Sequence, residues 1–399
     1  MSRTKKLSAG LPVGLGADPE IFFDKDGEIV GSERVLTKNP RSVGAYRVYL
    51  DGVQAELKVG EGTICRETFA SYMTNAFSSL NNALEGINER RLALPEGVDR
   101  ARFNVCYRQV VEVSQAELDS LSKEARALGC APSFNYYGLV KREVDGAVYR
   151  VRSAGGHMHF GINSENYQYE IRVACERVYE QRRKLVPLFD ILMGIPGVLL
   201  DRDPDQVIRR QTYGMAGEYR LPDHGIEYRT LSNFWLRSYQ LTSLFLGLGR
   251  MAITLLTETF TGKDDFESAL LEKADLDKVV KAIQENDANL AWEVYHEVIA
   301  PFVNDYVTNN DSYYQLPLKP KNLKKFEAFA ARVQRDGLEK VFKKDPMKHW
   351  LELRQRGNGW ESWIARINPR TGSMSRSLTA EQIVIPVAPE VVATAAAAA

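Results

Sequence analysis

Three tight turns between short strand-like segments constrain the fold of this chain most. The first is Asp26-Gly27, within residues 12–31, the second lies at Gly52, and the third is Pro222-Asp223-His224. Short apolar or alternating runs flank each turn, which is typical of a hairpin. Because the two strands of a hairpin are antiparallel, we predict an antiparallel sheet.

Long helical segments lie between and after these hairpins. Apolar residues recur every three or four positions from Phe69 to Ile87, and a second helix is predicted from about Glu165 to Met193, ended by Pro196-Gly197. From Ser238 to about Val341 the pattern is largely helical. Strands and helices do not alternate strictly, so we predict an α+β fold, with the sheet flanked by helices and a helical C-terminal part.

The overall charge gives no general attraction to polyanions. Lysine plus arginine equals aspartate plus glutamate, at 52 each. A chain without net charge has no long-range field that would draw it to nucleic acid or to an anionic membrane. We therefore expect no general nucleic-acid binding and no membrane partner.

Cysteine usage and hydropathy indicate a cytoplasmic protein. The four cysteines form no CxxC pair in a chain too long to need disulfides; they are Cys65, Cys106, Cys130 and Cys175. No apolar signal core follows the basic start, and the apolar stretch Leu241–Leu256 is interrupted by glycines and Arg250. We expect free thiols in a reducing compartment.

Two predicted strands carry pairs of polar side chains on one face. Asp18 and Glu20 are two apart, as are Gln54 and Glu56, and residues two apart on a strand point to the same side. Paired carboxylates grip hard cations. Either pair alone would also suit a solvent-exposed strand edge, but the apolar flanks of the first pair favour a buried position.

Two of the five histidines lie in the segment Gly155-Gly156-His157-Met158-His159-Phe160-Gly161. They share one face of the predicted strand Gly156–Ile162, which we pair with Val148–Arg152, and the glycines allow a backbone or ligand to approach closely. One imidazole could bind a metal while the other contacts a phosphate. The alternative is a pair of structural histidines at a sheet edge.

Arginines surround a further glutamate downstream. Arg209, Arg210, Arg220 and Arg229 lie within about twenty residues of one another, and Glu227 stands two before the last of them. Guanidinium groups suit phosphate and carboxylate oxygens. The chain has no GxxxxGK[ST] loop, no complete dinucleotide fingerprint and no GxSxG elbow, so a nucleotide would bind through metals and arginines.

The order of these motifs carries a family resemblance. The motifs are, in chain order, GADPE, DGVQAEL, GGHMHFG, YGMAGEYR and HGIEYR. They resemble those of the carboxylate–amine ligases of the glutamine synthetase and glutamate–cysteine ligase superfamily, most closely the phage-type amidoligases, over about residues 10–240. The resemblance implies a strongly curved antiparallel sheet that binds ATP and two or three Mg²⁺ ions.

The resemblance also implies roles for particular residues. Metal binding falls to Asp18, Glu20, Glu56, His157 and Glu227, although Asp18 stands where many relatives have glutamate. Nucleotide binding falls to His159, Arg210, Arg220 and Arg229. The last two would also neutralise the transferring phosphate and so count as catalytic.

The domain organisation follows from the extent of the motifs. We predict a catalytic ligase domain over residues 10–260, a mainly helical accessory region over 261–375, and a flexible alanine-rich tail over 376–399. If the protein is phage-encoded, its location is the host cytoplasm. A homo-oligomer is compatible with the sequence.

The activity implied is ATP-dependent formation of an amide through an acyl phosphate, from a small-molecule or peptide carboxylate and an amine. Two other functions remain open at this point. One is phosphotransfer to a guanidino-type nitrogen on the same kind of sheet, and the other is a non-catalytic viral binding or structural module.

Overall fold

The computed structural model describes residues 13–36, 41–43, 46–63, 66–94, 99–128, 133–162, 169–261, 266–309, 318 and 320–355. The strands are β1 (Val13–Lys25), β2 (Glu28–Val30), β3 (Arg41–Val43), β4 (Tyr46–Asp51), β5 (Gln54–Thr63), β6 (Phe103–Cys106), β7 (Val110–Glu112), β8 (Phe134–Asn135), β9 (Val151–Ser153), β10 (Gly156–Ile162), β11 (Glu218–Arg220) and β12 (Gly225–Tyr228).

The helices are α1 (Arg66–Leu92), α2 (Gln115–Ser120), α3 (Lys123–Arg126), α4 (Tyr169–Glu180), α5 (Leu185–Phe189), α6 (Ile195–Leu200), α7 (Gln206–Thr212), α8 (Tyr239–Thr261), α9 (Phe266–Lys273), α10 (Leu276–Gln284), α11 (Ala288–Val294), α12 (Ala300–Asn309), α13 (Pro320–Asp336), α14 (Leu338–Val341) and α15 (Pro346–Gln355). One π-helical turn, Asp190–Gly194, joins α5 to α6, and another, Tyr295–Ile299, joins α11 to α12.

Strand β1 organises a large antiparallel sheet. The strand order is β3-β4-β5-β1-β10-β12-β11-β8, and the far end of β1 also pairs with β2 and β6. With thirteen residues, β1 is long enough to pair with β5 and β10 over its first part and with the two short strands over its last. This sheet and the helical C-terminal part confirm the predicted α+β class.

The hairpin predictions are confirmed, and one strand pairing is corrected. The turns at Asp26-Gly27 and Gly52 join β1 to β2 and β4 to β5, and β11 pairs with β12. The segment Gly156–Ile162 does not pair with the strand before it, because β10 lies between β1 and β12. Strand β9 pairs with β7 in a separate two-stranded sheet.

The predicted helix end at Pro196 is also wrong. Helical structure continues through the π turn and α6 to Leu200, and Pro196 stands in the first turn of α6. The π turn just before Pro196 replaces the regular hydrogen bonds of an α-helix, in which a proline ring and its missing N–H do not fit. The result is a wholly buried helical segment, Leu185–Leu200.

Helix α8 covers the sheet as a core helix. Its segment Tyr239–Thr257 is long and apolar enough to cross a membrane by length and composition, but 78% of that segment is buried inside the protein. It packs against β1 and β10 and against α4 and α5. The two free thiols that the structure describes are Cys106 and Cys175; Cys65 and Cys130 lie outside the described residues.

The chain divides into a compact unit up to Leu351 and a second unit, Glu352–Ala399. The predicted boundaries at residues 260 and 375 stay a prediction.

Close helix–sheet packing at Gly249 gives a stability prediction. A Cβ at Gly249 would overlap the ring of Phe160, which is fully buried and stacked 5.2 Å from the ring of Phe189. We expect Gly249→Ala to lower the free energy of unfolding by about 1–3 kcal/mol, because the overpacked ring cannot move.

Gly86 provides the matched control for this substitution. It lies within α1, and a Cβ there would meet nothing within 4 Å. We expect Gly86→Ala to raise stability by up to about 1 kcal/mol through helix propensity. Denaturant unfolding of both variants tests the packing, and equal effects of the two substitutions would contradict it.

Candidate metal centre

The sheet register gathers the predicted acids and histidines on one face. Residues directly opposite each other on antiparallel strands point to the same side. Asp18 lies opposite His157, and Glu20 lies opposite Glu56. His159 lies opposite Glu227, which extends the same row to Arg220 on β11. Residues far apart in the sequence thus become neighbours through β1 and its partners.

Cluster A consists of Asp18, His159 and Glu227, each of which offers one ligand atom within 4.8 Å of the others. His159 Nε2 lies 3.1 Å from Asp18 Oδ2. The second histidine, His157, adjoins this cluster: its Nδ1 lies 3.2 Å from Asp18 Oδ1 and 3.5 Å from Glu227 Oε1. Both histidines therefore face the same carboxylates.

Cluster B consists of Glu20, Asp51 and Glu56, whose ligand atoms also lie within 4.8 Å of one another. Asp51 was missed in the sequence, because a residue before Gly52 at a hairpin end reads as an ordinary turn residue. The hydroxyl of Tyr49, opposite Glu56 on β4, donates to the carboxylate of Glu56.

The glycines before His157 let the backbone hold Glu20. Gly155 N donates to Glu20 Oε2 at 2.7 Å, and Glu20 N donates to Gly155 O at 2.9 Å. A Cβ at Gly155 would collide with the imidazole of His157, and one at Gly156 would overlap the carbonyl of Ser232. Gly155 and Gly156 therefore allow other groups of the protein to pack closely against this backbone.

Two arginines flank the acidic clusters. Arg229 is buried and pairs with Glu227, and its Nε lies 3.5 Å from Glu218 Oε1. Arg220 Nη1 lies 3.7 Å from Glu227 Oε2, and its side chain is partly exposed. A buried guanidinium of this kind needs partners that hold its charge.

Glu218 anchors Arg229 from behind. Its fully buried carboxylate accepts from Lys141, from Ser133 Oγ at 2.9 Å, and from the amides of Gly214 and Met215. Burial opposes ionisation, but Lys141 and Arg229 together lower the pKa of Glu218. Lys141 was missed in the sequence, because it lies in a segment without a motif.

Arg210 has a different setting from the other predicted arginines. Its guanidinium donates to Ile283 O and lies 3.2 Å from Asn286 Oδ1, so it ties α7 to the end of α10. Burial lowers the pKa of Arg210 to about 9. Its predicted role in nucleotide binding stays a prediction.

The carboxyl pKa values shift in opposite directions at Asp18 of cluster A and in cluster B. Burial opposes ionisation of Asp18, but the charges of His159 and His157 outweigh it and hold the pKa of Asp18 well below its usual range. In cluster B, burial and then the neighbouring carboxylates raise every pKa: Glu20 to about 7, Asp51 to about 6, and Glu56 well above its ordinary value. Arg229 lowers the pKa values of Glu20 and Asp51, and Arg220 that of Asp51, but burial and the neighbouring carboxylates outweigh them.

The two imidazoles also differ. Burial and the charge of Arg229 lower the pKa of His157. Burial acts in the same direction on His159, but Asp18 raises the pKa of His159 above its ordinary value. His224, in the turn between β11 and β12, was missed in the sequence, and its Nε2 lies 3.2 Å from His159 Nδ1.

The donor set fits divalent cations. Carboxylate oxygens suit Mg²⁺ or Mn²⁺, and an imidazole nitrogen is a ligand of transition-metal ions. Octahedral ligands about 2.1 Å from the ion stand about 3 Å apart. Asp18 Oδ1 and His159 Nε2 are buried and have no hydrogen bond of normal geometry with any described residue, although charged neighbours lie 3.1–3.2 Å away. Two atoms that bind the same ion lie close together without a hydrogen bond between them, as these buried atoms do.

Comparison with protein families gives one match. Residues 139–293 match the family described as phage phiEco32-like COOH.NH2 ligase, type 2. The match supports the predicted resemblance to this family over that part of the chain. Neither the curated proteins nor the solved structures compared contain a match to this chain.

The family match includes one side of the site. It covers β10, β11 and β12, and so His157, His159, Glu227 and the flanking arginines, and it extends to α11. The acids of β1, β4 and β5 lie outside it and reach the site through the sheet register. The family name indicates a carboxylate–amine ligase.

The raised pKa values in cluster B give a pH prediction. Glu20 and Asp51 bind protons more tightly in the folded protein than in the unfolded chain, so folding takes up protons between about pH 4 and pH 7. The metal-free protein is therefore expected to lose stability, on the order of 1–3 kcal/mol, as pH rises from about 5 to about 8. Mg²⁺ should raise the melting temperature more at pH 8 than at pH 5.5.

Glu20→Gln is the variant that isolates this effect, because other buried acids such as Asp190, with a pKa raised to about 7 by burial, contribute with the same sign. The amide cannot ionise, so the pH slope of stability should become shallower. Thermal unfolding across the pH range measures it, and an unchanged slope in Glu20→Gln would contradict the assignment.

Proposed function

We propose that this protein is an ATP- and Mg²⁺-dependent carboxylate–amine ligase that forms an amide through an acyl phosphate. The observation that supports this most is the pair of acidic clusters on one sheet face, with Arg220 and Arg229 at their edge. Two adjacent cation positions beside arginines suit a triphosphate, whose charge must be spread when a phosphoryl group is transferred.

The residues have separate roles in this proposal. Asp18, His157, His159 and Glu227 would hold one cation, and Glu20, Asp51 and Glu56 a second. Bound ions would neutralise phosphate charge. Arg229 is held in place by Glu227 and Glu218, so it offers a fixed positive charge to the transferring phosphoryl group.

The reaction balances in two steps. A carboxylate oxygen of the substrate bonds to the γ-phosphorus as the bond to the bridging oxygen breaks, and ADP leaves with that electron pair. The amine nitrogen then bonds to the acyl carbon, phosphate leaves with the electrons of the carbon–oxygen bond, and the nitrogen loses a proton. The products are an amide, ADP and phosphate.

We propose a small-molecule or peptide carboxylate and an amine as the substrates. The free thiols Cys106 and Cys175 fit a reducing compartment, and we propose a cytoplasmic location.

Nucleotide binding tests the site directly. Glu20→Gln and Glu227→Gln each remove one charged ligand. We expect each to weaken the binding of Mg²⁺ and a nonhydrolysable ATP analogue by about 100-fold or more, because the loss of a ligand costs more affinity than the loss of a residue that only supports a ligand. Calorimetric titration measures the loss.

Glu112→Gln is the matched control for these variants. Glu112 is exposed on the two-stranded sheet, where its carboxylate pairs with Arg150. The same chemical change there should leave the affinity unaltered. Wild-type affinity in Glu20→Gln or Glu227→Gln would remove the support for this site.

Product analysis tests the reaction class. With Mg²⁺, ATP, and pools of carboxylates and amines, we expect phosphate release together with a new amide mass. Once a pair is found, an ¹⁸O-labelled carboxylate should transfer one ¹⁸O atom to phosphate, because the acyl phosphate retains that oxygen. A stable phosphorylated product without an amide would instead indicate a phosphotransferase.

A further inference from the structure

The hydroxyl of Tyr213 lies between the two acidic clusters. It donates to Glu20 Oε1 at 2.6 Å and lies 2.7 Å from His157 Nε2. Arg229 Nη2 donates to the same oxygen at 3.3 Å. Tyr213 itself is only 6% exposed, and its ring is flanked by the cationic groups of Arg209 and Arg229, each 5.3 Å from the ring centroid. The hydroxyl is therefore fixed by its surroundings.

The single proton of this hydroxyl determines the tautomer of His157. A phenol has one proton to donate, and a carboxylate can only accept. When Glu20 is a carboxylate, as it must be to bind a cation, Tyr213 donates to it. The short contact with His157 Nε2 then requires Nε2 to carry the proton and to donate to the tyrosine oxygen. His157 Nδ1 is consequently left with a free lone pair.

The free Nδ1 faces cluster A. Asp18 Oδ1 lies 3.2 Å away and Glu227 Oε1 3.5 Å away. Asp18 Oδ1 accepts no hydrogen bond of normal geometry from any described residue. Glu227 Oε1 accepts from Arg229, but the lone pair of Nδ1 and Asp18 Oδ1 repel each other unless a cation lies between them. Both distances from Nδ1 are near the 3 Å of adjacent ligands on one ion.

We propose that Tyr213 is a positioning residue: by donating to Glu20 and accepting from His157 Nε2, it leaves Nδ1 free to bind a divalent cation together with Asp18 and Glu227. This inference rests on the proposed function, since it assumes that the clusters hold cations. It also gives Tyr213 a second role, because the same hydroxyl touches Glu20 of cluster B and His157, which adjoins cluster A. Loading of one cluster therefore stabilises the hydrogen bonding that the other needs.

Tyr213→Phe removes the hydroxyl and keeps the ring. We expect Mn²⁺ to bind the variant about 10–100-fold more weakly than the wild type, which is the usual effect of losing the hydrogen bond that orients a ligating histidine. The readout is the electron paramagnetic resonance signal of free Mn²⁺ during titration.

Tyr49→Phe is the matched control. The Tyr49 hydroxyl also donates to a carboxylate of cluster B, that of Glu56, but it has no histidine partner among the described residues. Loss of that hydroxyl can affect cluster B, whereas only Tyr213→Phe should alter the tautomer of His157. Thermal unfolding without metal shows whether each variant is folded.

The wild-type protein provides a measurement that no variant can confound. In the Mg²⁺-loaded protein labelled with ¹⁵N-histidine, the spectrum of His157, assigned by its absence from His157→Gln, should show a protonated Nε2 and a metal-bound Nδ1. A proton on Nδ1 in the loaded protein, or full Mn²⁺ affinity in folded Tyr213→Phe, would overturn the inference and leave the proposed function standing. If metal binding and the tautomer are as expected but no amide forms, the ligase assignment fails and the role of Tyr213 stands.

Discussion

Repulsion between buried carboxylates is the interaction on which the rest of the site depends. Asp18, Glu20, Asp51, Glu56 and Glu227 share one face of the sheet, in two clusters whose ligand atoms lie within 4.8 Å of one another. Cluster A is compensated in part by two histidines and two arginines, whereas cluster B has raised pKa values throughout. A folded protein keeps such an arrangement only where protons or cations neutralise it.

The scaffold around the clusters is built to hold that charge in place. Gly155 allows its amide to reach Glu20, and Gly156 allows the backbone at Ser232 to pass close behind the histidine strand. On the opposite side, Lys141 and Glu218 fix Arg229. Tyr213 connects these parts, since its hydroxyl contacts Glu20, His157 and Arg229. Fixed dipoles and charges of this kind favour a reaction in which charge moves between phosphate oxygens.

The sequence predicted local features well and spatial relations poorly. Hairpins at Gly27, Gly52 and Pro222 were readable because turn chemistry is local, and the residue pairs on β1 and β10 followed from the two-residue period of a strand. The pairing of β10 with β1 and β12, and the helix through Pro196, depended on tertiary context. Asp51 and Tyr213 open the motifs DGVQAEL and YGMAGEYR, but their places in the site depend on strand register and on the end of α7, which the motifs alone do not show.

The metal centre is tested most directly by anomalous diffraction from crystals grown with Mn²⁺ at a pH of about 8, which is above the pKa values of Glu20 and Asp51. We expect two anomalous peaks per chain, one between Asp18, the two histidines His157 and His159, and Glu227, and the other between Glu20, Asp51 and Glu56. Both ions should lie about 2.1–2.3 Å from their oxygen ligands. Ordered clusters with no manganese between them would contradict the proposal that these carboxylates form a metal centre.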